Sequence, residues 1–199
     1  EYGPLSQCLT RWEPRREQVE MAQAVSDTFT TNRTLLVEAG TGVGKSFGYL
    51  VPAIRRIREH GEKVLVATNT ITLQEQLMTN DVPMLHKAFG GGFTPVLVKG
   101  RGNYVSLRRL LRAKQRGTSL LSDPKSVKSL DQVIKWSEST TDGSKATIPV
   151  LPSGAVWDLI RSDGGNCLGR KCSKNESCFY QEARREMELC NLLICNHAL

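Results

Sequence analysis

The residues best suited to phosphate chemistry come early in the chain. Ala39-Gly40-Thr41-Gly42-Val43-Gly44-Lys45-Ser46 follows an apolar run, Thr34-Leu35-Leu36-Val37, that reads as a buried strand. It leads into a segment that reads as a helix from Lys45 to Glu59, ended by Gly61. Glycines let backbone N–H groups turn toward a phosphate with no Cβ in the way. The helix N-terminus adds its partial positive charge. Lys45 can reach the β- and γ-phosphates of ATP, and the Ser46 hydroxyl can ligate Mg²⁺. Strand, Gly-rich turn, Gly-Lys-Ser and helix, in that order, is the context a phosphate-binding loop requires. The usual pattern opens on Gly, and here Ala39 stands in that place.

A phosphate loop alone does not choose among kinases, transporter ATPases and nucleic-acid motors, so its neighbours matter. Upstream, Arg15 and Gln18 lie in Pro14-Arg15-Arg16-Glu17-Gln18. A Gln there can read an adenine edge with one donor and one acceptor, or simply be exposed. Downstream, Thr68-Asn69-Thr70-Ile71-Thr72-Leu73-Gln74 follows the next apolar run. Hydroxyls and amides at a strand end can hold a nucleic-acid phosphate, and Thr70 or Thr72 can equally cap a helix.

Charge points the same way. The chain has 199 residues, with 27 basic and 20 acidic side chains and a formal net charge of +7. Lys99, Arg101, Arg108, Arg109, Arg112, Lys114 and Arg116 follow one another without an intervening acid and account for the whole excess. Such a stripe suits a phosphate backbone, or forms a solvated helix face. Three of the six cysteines, Cys167, Cys172 and Cys178, fall in one short segment; Cys8, Cys190 and Cys195 lie apart. With no secretory signal, clustering of that kind points to a metal site rather than to disulfides. No run approaches 18 uncharged apolar residues, which argues against a membrane partner.

These residues must be positioned by an α/β layer. Val19, Ala22, Val25 and Phe29 recur at helical spacing, and Asn32-Arg33 reads as a turn. Lys63–Thr68 and Pro95–Val98 read as strands, with helices near Thr70 and over Pro83–Ala88 between them. Alternation of helix and strand over residues 15–100 implies a parallel sheet. After Gly100 the pattern turns helical, with Leu107, Leu110 and Leu111 as one stripe. Ser122-Asp123-Pro124 opens another helix, and a polar loop covers Ser137–Lys145. Leu192–Cys195 returns to a strand pattern. The expected organisation is an α/β unit over 1–100, a mostly helical insertion over 101–188, and a return strand over 189–199.

Together these motifs resemble the DinG-type, XPD-like DNA helicases of superfamily 2, through nearly the whole chain. Arg15–Gln18 resembles their adenine-reading motif, and Glu38–Ser46 looks like their Walker A. Thr68–Leu77 looks like motif Ia, Gly100–Val105 like the entry to the iron–sulfur domain, and Asn196–Leu199 like the strand end before Walker B. The resemblance implies a RecA-like motor domain with ATP and Mg²⁺ as cofactors and single-stranded or forked DNA as partner. It further implies 5′-to-3′ movement and a bacterial-type cytoplasmic location. Lys45 and Ser46 would be catalytic, with Arg15, Gln18 and Ala39–Ser46 binding ATP. Thr68, Asn69, Thr70, Gln74, Arg101, Arg108, Arg109 and Arg112 would contact DNA, and Tyr104 would offer a stacking surface.

In that family four cysteines hold a [4Fe–4S] cluster. Cys167-x4-Cys172-x5-Cys178 resembles the last three ligands, and Ser106 stands where the first would be. A hard oxygen is a poor substitute for a soft thiolate on iron. Zinc on three cysteines is the other metal reading. The chain stops before the family's Asp-Glu-Ala-His box and second motor domain, so it is expected to be the N-terminal part of a helicase and inactive alone. The rival reading is a nucleotide- and nucleic-acid-binding module without motor activity. A small-molecule kinase is weaker, because it leaves the cysteines and the basic stripe unexplained.

Overall fold

The computed structural model describes residues 4–7, 13–121 and 123–199. Eight α-helices and three strands are described: α1 (Arg16–Thr31), α2 (Lys45–His60), β1 (Val64–Thr68), α3 (Ile71–Gln76), α4 (Val82–Phe89), β2 (Pro95–Val98), α5 (Leu107–Leu120), α6 (Pro124–Ser137), α7 (Gly154–Ile160), α8 (Phe179–Leu189) and β3 (Leu192–Asn196). A π-helical turn, Leu77–Asp81, joins α3 to α4. The chain forms two compact units. One runs to Val98 and resumes at Leu189–Leu199; the other is Lys99–Glu188.

In the first unit the strands make a parallel sheet of order β1-β3-β2. Val64 pairs with Leu192 and Thr68 with Asn196 on one side, and Pro95 pairs with Leu192 on the other. The last strand in sequence is therefore the central one. Leu50, Ala53, Ile54 and Ile57 recur at helical spacing on α2 and pack into one core with Leu77, Leu85, Leu192 and Ile194. Gly61, at φ 68°, ends α2 with its N–H on the Ile57 carbonyl, and Asn32, at φ 51°, ends α1. Gly48 brings α1 close, since a Cβ there would sit 2.9 Å from Met21 Sδ.

The apolar run Thr34–Val37 is not a strand. Residues 33–40 carry no regular structure, and Leu36 is 98% exposed. A strand exists through its ladder. Among the described residues β3 serves β1 and β2, and nothing pairs with 34–37. Apolar character alone does not make the element.

The second unit is helical, as its sequence pattern requires. Val105, Leu110, Ala113, Val133, Val156, Trp157 and Ile160 form its core. Pro124 starts α6 behind Asp123, whose carboxylate accepts the Ser126 N–H at 2.8 Å. Ser153 caps α7 in the same way, from Val156 at 3.4 Å. The Trp157 indole N–H donates to the Gly102 carbonyl at 2.8 Å, and Tyr104 and Val105 bridge to Ser144 and Arg161. Among the described residues no helix is long and apolar enough to cross a membrane.

Candidate functional site

In the first unit the structure gathers the residues singled out for phosphate chemistry. Gly42 and Gly44 hold φ values of 84° and 81°, conformations that a side chain strains. The Lys45 ammonium donates to the Ala39 carbonyl at 2.8 Å and the Gly40 carbonyl at 2.9 Å. Arg15 donates to the Gly42 carbonyl, and Gln18 Nε2 donates to Gly44 at 2.9 Å and Val43 at 3.3 Å. A Cβ on Gly44 would collide with the Gln18 amide. Two cations and an amide thus cradle the loop through its carbonyls, and a triphosphate can exchange the Lys45 contacts for its own oxygens. The Gln18 nitrogen serves the loop, which leaves its carbonyl oxygen as the acceptor end of the amide.

Ser46 sits at the second position of α2 and meets two groups that sequence reasoning missed. Its hydroxyl lies beside the Tyr49 phenol and the Asp81 carboxyl group, near enough to pull the pKa of each down. Burial raises the pKa of Asp81, against the pull of the neighbouring Ser46 hydroxyl. Burial also raises that of Tyr49. Tyr49 was legible as a neighbour of Ser46 on one helix face. Asp81 is brought in only by the fold.

The DNA candidates separate by burial. Thr68 is 3% exposed and bonds the Thr70 and Cys195 carbonyls at 3.0 and 3.2 Å. Gln74, also 3% exposed, donates to Val98 at 2.9 Å and Ile194 at 3.2 Å, tying the end of β2 to the middle of β3. Both side chains are spent on the sheet rather than on its surface. Asn69 and Thr70 are exposed, and Thr70 caps α3 by accepting the Leu73 N–H at 3.1 Å.

In the second unit Tyr104 is 4% exposed, packed against Tyr180 at 5.8 Å between ring centroids. Its ring has no face open to a nucleobase, and burial pushes its pKa up to about 12. Arg101 lies over the Tyr180 ring at 4.2 Å, donates to the Asp163 carbonyl at 3.4 Å and lies near enough to the Cys167 thiol to lower its pKa. Arg109 donates to the carbonyls of Leu159 at 2.9 Å, Arg161 at 3.1 Å and Asp158 at 2.6 Å. Its guanidinium caps the C-terminus of α7, where carbonyls lack helical partners. Arg108 bonds the Asn166 carbonyl, and Arg112 is exposed. With Arg116 and Leu159 these arginines line a cavity of about 260 Å³.

Ser106, Cys167, Cys172 and Cys178 line a second, smaller cavity of about 30 Å³. The Gly169 N–H, 3.4 Å from the sulfur, lowers the Cys167 pKa, helped by Arg101 and Arg108. Ser106 caps α5, its oxygen 3.5 Å from the Arg109 N–H. Among the described residues no group of three or more Cys, His, Asp or Glu is placed to hold one metal ion. Cys190 and Cys195 are buried in the first unit and take no part.

The sequence matches the DEAD/DEAH box helicase family over residues 18–135, more than half of the chain. The chain belongs to that family. Family membership carries the RecA-like fold, with which the parallel sheet and the loop leading into α2 agree. The chain is 35% identical over 201 residues to the ATP-dependent DNA helicase YoaA of Escherichia coli, covering 99% of this chain and 30% of that protein. It is 34% identical over 201 residues to the ATP-dependent helicase DinG of Mycobacterium tuberculosis, covering 93% and 30%. It is 29% identical over 197 residues to the 3′-5′ exonuclease DinG of Bacillus subtilis, covering 98% and 21%. The DinG-type resemblance is thus borne out over nearly the whole chain, which spans about three tenths of the length of the first two relatives.

Proposed function

We propose that the chain is the nucleotide-binding motor portion of an ATP-dependent DNA helicase. One observation carries the reading: Arg15, Gln18 and Lys45 converge on a Gly-rich loop at the N-terminus of α2, with the Ser46 hydroxyl beside a buried carboxylate. A hard cation such as Mg²⁺ takes oxygen ligands, and Ser46 supplies one. Lys45 and Arg15 would neutralise the triphosphate, and Gln18 would meet the adenine. Replacing Lys45 with Ala is expected to weaken binding of a fluorescent ATP analogue to the chain about tenfold or more, since a charged hydrogen bond contributes ~1.5–3 kcal/mol. Unchanged affinity would remove the phosphate-loop reading.

For DNA, the reading assigns backbone contacts to Asn69, Thr70, Arg108 and Arg112, and a supporting role to Arg109. The 5′-to-3′ direction and the preference for single or forked strands rest on the motif resemblance. Replacing Arg108 and Arg112 with Ala is expected to flatten the log–log salt dependence of single-strand binding by about 0.7 for each phosphate no longer neutralised. The urea unfolding midpoint should stay where it was. Arg109→Ala should instead lower that midpoint, by about 1–3 kcal/mol of stability, because three carbonyls at the end of α7 would be left without their donor. A flattened slope with an intact midpoint for Arg109→Ala would reverse these roles.

The cysteine cavity fits an iron–sulfur cluster in part. A cluster takes one residue per iron, so thiols spread around a cavity suit it better than they suit one ion. Three positions carry thiols and the fourth is Ser106, while a 30 Å³ cavity has room for water rather than a cube. The loop carrying Cys167–Cys178 would have to open. Iron and acid-labile sulfide in anaerobically purified protein should fall short of four per chain, and Ser106→Cys should raise both. Four of each in the Ser106 protein would show that serine or water completes the site.

A further inference from the structure

Asp81 is a buried side chain that caps no helix. It closes the π-turn Leu77–Asp81, is 8% exposed, and its Oδ2 has no hydrogen-bond partner. An Asp ahead of Val82-Pro83 would ordinarily serve as an N-cap for α4. The structure excludes that: Asp81 has helical backbone angles, φ −74° and ψ −45°, and makes no capping hydrogen bond. Burying an acceptor without a donor is unfavourable, and native proteins tolerate it chiefly where a ligand, ion or water completes the site. π-turns are rare and concentrate at functional sites.

The neighbours of Asp81 show which site this is. The π-turn packs against α2, where the Asp81 carboxyl group lies beside the Ser46 hydroxyl and the Tyr49 phenol sits next to that same hydroxyl. Two polar groups, one from α2 and one from the π-turn, thus converge on the one hydroxyl that the nucleotide reading makes a Mg²⁺ ligand. A hydroxyl bound to a cation must turn its lone pairs to the metal and its proton elsewhere. A carboxylate is the strongest acceptor available for that proton. Mg²⁺ also keeps several of its waters, whose O–H groups are the kind of donor Oδ2 lacks.

We propose that Asp81 is a positioning residue of the Mg²⁺–nucleotide site: it holds the Ser46 hydroxyl with its oxygen toward the cation and offers Oδ2 to a cation-bound water. The proposal rests on the nucleotide reading and adds a residue to it. Groups that orient a metal ligand typically matter 10–100-fold to metal affinity. Asn keeps the shape of Asp and removes its charge, so the fold should survive the exchange.

The test is the affinity of the chain for fluorescent ADP, with saturating Mg²⁺ and with chelator. Wild-type protein should bind more tightly with Mg²⁺. Asp81→Asn should cut that Mg²⁺-dependent gain about tenfold more than it changes affinity in chelator, and Asp81→Ser should do the same. In a Ser46→Ala background, Asp81→Asn should cost clearly less than in wild type, because only the water contact is left to lose. Full retention of the gain in both Asp81 variants, an equal loss without Ser46, or no gain in wild type would each overturn the proposal. Lys45→Ala separates the two levels, because it should weaken binding with and without Mg²⁺. If it does not, the nucleotide reading fails first and the Asp81 role goes with it.

Discussion

The first unit depends on one ladder: β3, Leu192–Asn196, hydrogen-bonded on both sides to β1 and β2. Neither outer strand pairs with the other, so the sheet exists only once the chain has passed through Lys99–Glu188 and returned. Leu192 and Ile194 on that strand are fully buried and share a core with Leu50, Ile54 and Ile57 of α2. This packing fixes where α2 begins, and Lys45 and Ser46 are its first two residues. The position of the Gly-rich loop therefore follows from a contact distant in sequence. Gln74 reinforces the joint by bonding one carbonyl from each of the two strands β2 and β3. A surface role for that amide would leave both carbonyls without their donor.

Local signals made much of this legible. The α2 stripe, the left-handed stops at Asn32 and Gly61, the Asp123-Pro124 opening of α6 and the apolar runs at β1, β2 and β3 all follow from side-chain type and spacing. Two kinds of feature were not legible. A strand needs a partner, and Thr34–Val37 has the composition of one without the ladder. A polar side chain also looks the same in sequence whether it meets solvent or the sheet. Thr68, Gln74 and Tyr104 read as surface groups, yet all three are buried. Asp81 shows the converse: ordinary in sequence, it becomes chemically pointed only when the π-turn brings it to Ser46.

The basic stripe shows how one charge pattern divides into different duties. Arg109 spends its guanidinium on three helix-end carbonyls, and Arg101 lies on an aromatic ring beside a thiol. Arg112 keeps its charge at the surface. Only a cation that stays exchangeable with solvent ions contributes to counterion release on binding a polyanion. The net charge of +7 thus does not by itself say which cations stay accessible at the surface.

On the nucleotide-binding reading, the loop from Ala39 to Ser46 takes phosphate on its backbone N–H groups and on Lys45. The first N–H groups of a helix have no partner within it, so a bound phosphate should shield them. Amide hydrogen exchange of the chain, with and without saturating Mg²⁺–ADP, measures this directly. Slowed exchange centred on residues 42–47 is the result the account expects. Unchanged exchange there, with protection appearing elsewhere in the chain or nowhere, would contradict it.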